Sequence, residues 1–363
     1  MTSQSGTVLH VIDTTGPGGA ETVFLSLAEA CIERGHRSVA LIRGPGWVEE
    51  QLRKREIPYL VRDSKGSLNF GFLKEMAKII REEGVTQIQA HLLGSNVYAS
   101  ILGLTLRVPV VATFHGHVDI SQAERLRSLK LGLIRFGSKH VVCVTEELKN
   151  SVNESTSGWA KLNPKVIANG IDTAPLERIP IDTRVVSQGP IVLGCLGNVR
   201  PAKNYGLAVE LMALLKSQNI PARLRIAGDD TNAAAADLKR EVERRDLGDV
   251  VEFSGFIDDV PRFLSEIDVY LMTSSSEGHP LALTQALAAG RPAVSTLSGV
   301  ERVIPKDLMF WAESHSAEAL SEALQRVLRH EDLDSIASEA REFVKQHYSL
   351  AAMSTQYLEL YEL

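Results

Sequence analysis

The sequence predicts an α/β protein of two doubly wound domains facing each other across a cleft. Three observations predict it. Short β-branched runs alternate with segments of helical apolar spacing, an order that implies parallel sheets with right-handed crossovers. The alternation stops at IDTAPLERIPIDTRVVSQGP, which carries Pro175, Pro180 and Pro190 without clean periodicity and reads as a linker, and then it restarts. At 363 residues the chain is too long for one ordinary domain and comfortable for two.

In the first half, TVLHVI is a strand, TTGPGGAE a turn, TVFLSLAEACIERG a helix and HRSVALI a second strand. VTQIQAH, VPVVATFH and KHVVCVT are further strands, each near a helical segment. The second half repeats the theme: strand GPIVLGCLG, loop NVRPAKN, helix YGLAVELMALLKSQ and strand ARLRIAG, then strands VVEFSGF, IDVYLMT and RPAVST. The domains are therefore set at 1–172 and 191–340, with the linker at 173–190. The closing segment, 341–363, has helical spacing of Phe343, Met353, Tyr357 and Tyr361, and either covers the second domain or crosses back onto the first. Ligands of open α/β sheets sit beyond the carboxyl ends of the strands, so the active site is expected where the two domains face each other.

Composition narrows the class. Hydrophobic content of 44% and charged content of 23% are those of a globular chain, and a net charge of −6 speaks against nucleic acid as a partner. MTSQSGTVLHVID lacks a basic n-region and an apolar core, and no run approaches the roughly 20 apolar residues of a membrane span, so a cytoplasmic location is expected. Cys31, Cys143 and Cys195 lie in apolar segments without CxxC spacing and read as buried free thiols. The ten histidines form no HxxxH or HExxH pair, and no metal site is expected. The lone DxD, Asp332–Asp334 in RHEDLDSIASEA, reads as helix capping rather than a cation site.

Four stretches carry chemistry. GPGGAE at Gly16–Glu21 turns from strand to helix, where glycines let backbone NH groups approach a phosphate or sugar; a plain tight turn is the alternative. It is a poor dinucleotide fingerprint, since Glu21 replaces the third glycine and HRSVALIRG ends without an acid for a ribose. In NVRPAKN, Arg200 and Lys203 flank a helix start and suit a diphosphate, unless the loop is simply solvated. His115 in TFHGH closes an apolar strand before a glycine and is expected to project into the cleft, or else to be a core histidine. In SSSEGHPLALTQALAAGRPAVS, Glu277 precedes a buried, alanine-rich helix starting near Pro280, and Gln285 falls in its second turn. Both side chains suit hydroxyls of a sugar or ribose, while backbone around His279–Leu281 faces an anion.

In this order the pieces resemble the retaining, GT-B-fold glycosyltransferases of family 4, built from two Rossmann-like domains. The resemblance runs over nearly the whole chain: GGAE with LAEACIERGH, TFHGH, NGID at Asn169–Asp172, RPAKN, AGDD, FSGFIDD, then SSSEGHPLALTQALAAGRPAV. It implies transfer of a hexose from a nucleoside-diphosphate sugar, a UDP-sugar ahead of a GDP-sugar, to an acceptor hydroxyl with retention, in cell-surface polysaccharide or glycolipid synthesis, without metal or cofactor. It places Gly18 and Gly19 beside the sugar and phosphates and His115 on the hexose. Lys203 and Arg200 would meet the diphosphate, with Asn198 and Gly228 in the same donor pocket, and Glu277 would hold sugar hydroxyls. Backbone at Gly278, His279, Pro280 and Leu281 would touch phosphate, Gln285 the ribose, and the loop at Ser254–Ile257, with Phe256, the base. The closing helix would cross back to the first domain.

Two positions depart from the family pattern. The second glutamate of Glu-x7-Glu is Gln285, and the usual phosphate-binding arginine is Asn198, with Arg200 two residues on. They motivate a different reading, a catalytically silent nucleotide-sugar-binding subunit that supports a partner. An NAD-dependent oxidoreductase is a third. A last feature bears on the acceptor: in AERLRSLKLGLIRFGSK, Leu126, Leu129, Leu133 and Phe136 form a stripe with Arg125, Arg127, Lys130, Arg135 and Lys139 around it. Such a helix either lies on an anionic membrane at the inner face and meets a lipid-linked acceptor, or turns its stripe to the core.

Overall fold

In the computed structural model the chain forms two compact units, Met1–Gly170 together with Leu350–Leu363, and Ile171–Ser349. The structure describes residues 6–64, 69–121, 123–158, 161–182, 189–277 and 279–361.

The first unit runs β1 (Thr7–Ile12), α1 (Gly19–Glu33), β2 (Arg37–Ile42), α2 (Trp47–Lys54), β3 (Tyr59–Val61), α3 (Phe70–Glu82), β4 (Gln87–His91), α4 (Leu93–Leu106), β5 (Val110–Phe114), α5 (Arg127–Gly137), β6 (His140–Cys143), α6 (Glu146–Ser155) and β7 (Lys165–Val166). The second runs α7 (Ala174–Glu177), β8 (Ile191–Leu196), α8 (Tyr205–Ser217), β9 (Ala222–Ala227), α9 (Ala233–Arg244), β10 (Val251–Gly255), α10 (Val260–Ser265), β11 (Val269–Met272), α11 (Leu281–Ala288), β12 (Ala293–Thr296), β13 (Phe310–Ala312), α12 (Ala317–Leu328) and α13 (Leu333–Tyr348). The last helix, α14 (Leu350–Leu358), belongs to the first unit.

Both sheets are parallel and share one winding. Their orders are β3-β2-β1-β4-β5-β6-β7 and β10-β9-β8-β11-β12-β13, so each reverses direction between its first-laid strand and the next one across: β1 beside β4, and β8 beside β11. Apolar residues cover both faces, as a sheet sandwiched between helix layers requires. On β1, Leu9 and Val11 pack with Phe72 and Met76 of α3 and Leu102 of α4. Val8, on the opposite face, packs with Val23 and Leu27 of α1 and with Met353 and Tyr357 of α14.

Three short strands, β3, β7 and β13, have no counterpart in the sequence reading. They span 3, 2 and 3 residues, too few to establish a period of two. The closing segment also differs from a single helix over 341–363. Ser349 leaves the helical conformation at φ −72, ψ 153 and bridges to Ile171, whose N–H donates to the Tyr348 carbonyl at 2.9 Å, so α13 and α14 are separate. Within the expected linker, residues 173–182 are tied to the second unit. Arg341 donates to the Ile179 carbonyl at 2.7 Å, Arg291 to the Pro180 carbonyl at 2.6 Å, and Lys345 pairs with Glu177 at 2.8 Å; residues 183–188 lie outside the described residues.

Candidate functional site

A switch in strand order leaves a crevice beyond the strand ends, because the two flanking loops diverge to opposite faces. In the second unit those loops follow β8 and β11, and they carry Lys203 and Glu277. Lys203 Nζ donates to Glu277 Oε1 at 2.7 Å, with side chains 23% and 13% exposed. Ser274 Oγ donates to the same oxygen at 2.6 Å. Backbone ties fix the loops against each other: Thr273 Oγ1 donates to the Lys203 carbonyl at 2.9 Å and Ser275 N to the Ala202 carbonyl at 2.9 Å. Glu277 N donates to Ser298 O at 2.9 Å.

Glycine makes this approach feasible at two positions. Gly197 has φ +145, and a β-carbon there would stand 3.1 Å from Lys203 Cε. Gly228, at φ +148, abuts the Gly197 carbonyl so closely that any side chain would collide with it. Asn198 closes the same junction, its Oδ1 accepting from Asp229 N at 3.0 Å. That amide joins the β8 and β9 loops, a backbone duty an arginine would not perform. Arg200 is exposed and close enough to Asp229 to add to the Thr231 hydrogen bonds that hold its carboxyl below the usual range.

Beyond Glu277 the helix α11 begins at Leu281 with Pro280 as its N-cap, so its first backbone N–H groups lack intrahelical acceptors. Gln285 is in the second turn and half-buried. Gly278 lies outside the described residues. The His279 ring is buried on Tyr348, centroids 4.6 Å apart, and burial lowers its pKa to about 4. Phe256, just after β10, is 45% exposed.

The first unit has its own switch point, between β1 and β4. Gly18 caps α1 in extended conformation and Gly19 is the first helical residue; Thr22 N and Oγ1 both return to the Gly18 carbonyl. His115 is the first residue past β5. Its Nε2 lies 2.9 Å from Nδ1 of His91, the last residue of β4, and its own Nδ1 is buried with no hydrogen-bond partner among the described residues. Burial lowers the His115 pKa to about 3 and holds His91 well below its ordinary range, so both rings are neutral. Asp119 Oδ2 accepts from His115 N at 2.7 Å and Gly116 N at 3.3 Å. Its burial raises the carboxyl to about 6 against those hydrogen bonds. Leu92, next to His91, has φ +70 and ψ 161, a region L-residues rarely occupy and one that marks functional sites. His117 is exposed.

Sequence reasoning missed His91, Asp119 and Asp13. The last is a half-buried carboxyl after β1 whose pKa is raised chiefly by desolvation. A signal for His91 was present: Gln87, Gln89 and His91 alternate along QIQAH and all are fully buried, a polar period of two inside a buried strand.

Three of the four stripe residues face outward, Leu126 just ahead of α5 and Leu129 and Phe136 on it, whereas Leu133, expected on the same stripe, is half-buried and packs against the core. Leu131 and Ile134 take the core side with Phe114, Ile120 and Leu148, whereas Leu126, Leu129 and Phe136 are 59%, 44% and 60% exposed. Arg135 lies over the Phe136 ring at 6.0 Å, Lys130 pairs with Glu124, and Arg125 is exposed. Among the described residues no helix is long and apolar enough to cross a membrane, and no group of three His, Cys, Asp or Glu side chains could hold a metal ion. Cys31, Cys143 and Cys195 are free and buried, each pushed up to about 12 by burial. Asp332 caps α13, accepting from Ser335 N at 3.2 Å.

Two parallel sheets with one winding, each bearing polar side chains at its switch point, define the GT-B class. Anabaena HepE, solved with UDP and glucose, shares this fold with a TM-score of 0.82 at 19% identity, over 98% of each chain. Two family models divide the sequence, Glycosyltransferase Family 4 over residues 17–175 and Glycosyl transferases group 1 over 181–344. The chain belongs to these family 4-type glycosyltransferases. Full-length relatives include the N-acetyl-alpha-D-glucosaminyl L-malate synthase of Bacillus anthracis, 24% identical over 95% of this chain and 93% of that protein. Another is the lipopolysaccharide core biosynthesis glycosyltransferase LpsD of Rhizobium meliloti, 24% identical over 98% of both.

Proposed function

We propose that the chain transfers a hexose, with retention, from a nucleoside-diphosphate sugar to an acceptor hydroxyl in the synthesis of a surface polysaccharide or glycolipid. A UDP-sugar is preferred to a GDP-sugar. The observation that carries the proposal is the Lys203–Glu277 pair at the β8–β11 switch point: an ammonium for a diphosphate beside a carboxylate for hydroxyls, joined at 2.7 Å. The UDP and glucose held by HepE support the donor class.

In this scheme the leaving diphosphate collects negative charge as the glycosidic bond lengthens. Lys203, Arg200 and the orphan N–H groups at the start of α11 meet that charge, an electrostatic role that asks for no metal or cofactor. Glu277, with Gln285 further along, orients hydroxyls, and His115 with the Gly18–Gly19 turn takes the hexose and phosphates. Titration calorimetry with UDP, GDP, ADP and NAD tests it. UDP should bind, and Lys203→Ala should weaken it by about tenfold or more, the loss of one charge-assisted hydrogen bond. Glu277→Ala should leave UDP within about threefold but weaken the UDP-sugar. Binding of no nucleotide would favour the silent-subunit reading, and binding of NAD alone the oxidoreductase.

The outward-facing residues of the stripe favour an acceptor at a membrane surface. Leu126, Leu129 and Phe136 would enter the headgroup region, with Arg125 and Arg135 on anionic lipid although the chain as a whole carries −6. Co-sedimentation with vesicles should show binding to anionic but not zwitterionic lipid. Leu129→Ser with Phe136→Ser should reduce it by about tenfold or more. Unchanged binding by that pair would remove α5 as the contact.

A further inference from the structure

The imidazole expected at the sugar is the end of a hydrogen-bond chain that starts at the far end of the sequence. Tyr361 Oη donates to Gln89 Oε1 at 3.0 Å. The Gln89 amide nitrogen then faces Thr113 Oγ1 at 2.9 Å, His91 Nε2 at 3.4 Å and the Ala90 carbonyl at 3.4 Å. Thr113 Oγ1 is in turn 3.3 Å from Tyr357 Oη. His91 Nδ1 meets His115 Nε2 at 2.9 Å, the ring planes 25° apart. Gln89, His91, Thr113 and Tyr357 are wholly buried, so no water competes for these bonds.

The chain has one sense. The Gln89 nitrogen lies beside the Ala90 carbonyl and faces His91 Nε2, each at 3.4 Å; an amide NH2 can donate but not accept, so the imidazole nitrogen opposite it carries no proton. A neutral imidazole carries one proton, and His91 Nε2 is an acceptor, so the proton is on His91 Nδ1. It is donated to His115 Nε2. His115 must then carry its proton on Nδ1, the buried nitrogen without a partner. An unsatisfied buried N–H is costly, of order 1–3 kcal/mol, and is kept where a ligand supplies the acceptor.

We infer that His91 is a positioning residue that fixes His115 as an Nδ1–H donor toward a donor-sugar oxygen, with Gln89 and Tyr361 setting the sense of the chain. The sugar contact rests on the proposed function; the tautomer does not. Histidine-selective 15N labelling of the full chain, read by two-bond 1H–15N correlation, reports the tautomer with no ligand present. The expected result is Nδ1–H at His115; Nε2–H there overturns the inference whatever the enzyme does.

Two substitutions separate positioning from packing. His91→Asn retains an amide near the Nδ1 position and His91→Gln near Nε2. Asparagine should keep the His115 tautomer and kcat/KM within about threefold. Glutamine should let the tautomers mix and lower kcat/KM by about tenfold, the value of one hydrogen bond. In the His115→Ala background His91→Gln should have no further effect, since the two act as a unit. Additive losses, or equal losses from both His91 changes, would make His91 a packing residue. If no donor is turned over at all, the proposed function fails while the tautomer measurement still stands or falls by itself.

Discussion

Lys203→Ala is expected to lower kcat/KM for glycosyl transfer by about two to three orders of magnitude, or roughly 3–4 kcal/mol of transition-state stabilisation. The ammonium is placed by short, redundant means: a 3₁₀ turn at Pro201–Lys203, the Thr273 hydroxyl on its carbonyl, and the space left by Gly197. Charge on the leaving diphosphate grows toward the transition state, so kcat should fall more than KM rises. Glu277→Gln keeps an acceptor for Ser274 and should cost less, about tenfold to a hundredfold. A Lys203→Ala enzyme within threefold of the wild type would reduce Lys203 to a counter-ion for Glu277. Melting curves on the same samples separate this from unfolding, since removing Lys203 leaves the Glu277 carboxylate with the Ser274 hydroxyl alone on that oxygen.

The second large effect is on stability below neutral pH. His10 and His115 have pKa values lowered to about 3 and His91 is also depressed, all by burial in the first unit. A depressed histidine contributes stability that is present above its unfolded value near 6.5 and is lost as pH falls toward the folded value. Asp119 works the other way. Its folded pKa of about 6 means that the native state takes up a proton between pH 6 and 4, which offsets one histidine, and Asp13 shifts in the same direction. Within the first unit the balance is a net uptake of one to two protons on unfolding, and His279 of the second unit, lowered to about 4 by burial, acts in the same sense. Stability should fall by about 1.4–2.8 kcal/mol per pH unit from 6.5 toward 4. Melting temperatures over that range test it, and Asp119→Asn should make the fall steeper by removing the counterweight. A flat profile between pH 6.5 and 4.5 would mean that these imidazoles become protonated without unfolding.

Much of the fold was legible because long strands and their helices keep distinct periods. IVLGCL is apolar throughout and VVATF is so but for Thr113, as strands covered on both faces require. The two-residue β7 and three-residue β3 and β13 were not legible, because sheet neighbours rather than local pattern hold them. The Lys203 and Glu277 loops could be read as hydroxyl- and diphosphate-seeking from residue type and position after a strand. Their mutual contact could not, since 74 residues separate them in sequence. Asn198 was noticed as a missing arginine, whereas the structure gives its amide a partner of its own, the Asp229 N–H. The α5 stripe was visible as spacing without a direction. Leu131 and Ile134 fill the core, and the stripe member Leu133 packs against them, so only packing decides between such neighbouring faces.

The return of α14 to the first unit has a consequence for synthesis. The first 170 residues emerge from the ribosome without Met353, Tyr357 and Tyr361, which lie 2%, 0% and 6% exposed in the core beside Val8, Val23 and Leu27. Each such side chain is worth about 1.5–3 kcal/mol on burial, a large share of a domain's margin. The second unit, continuous from Ile171 to Ser349, is fully made earlier than the pieces of the first. The half translated first is therefore the half completed last, and its open apolar face must be shielded while the intervening 179 residues are made.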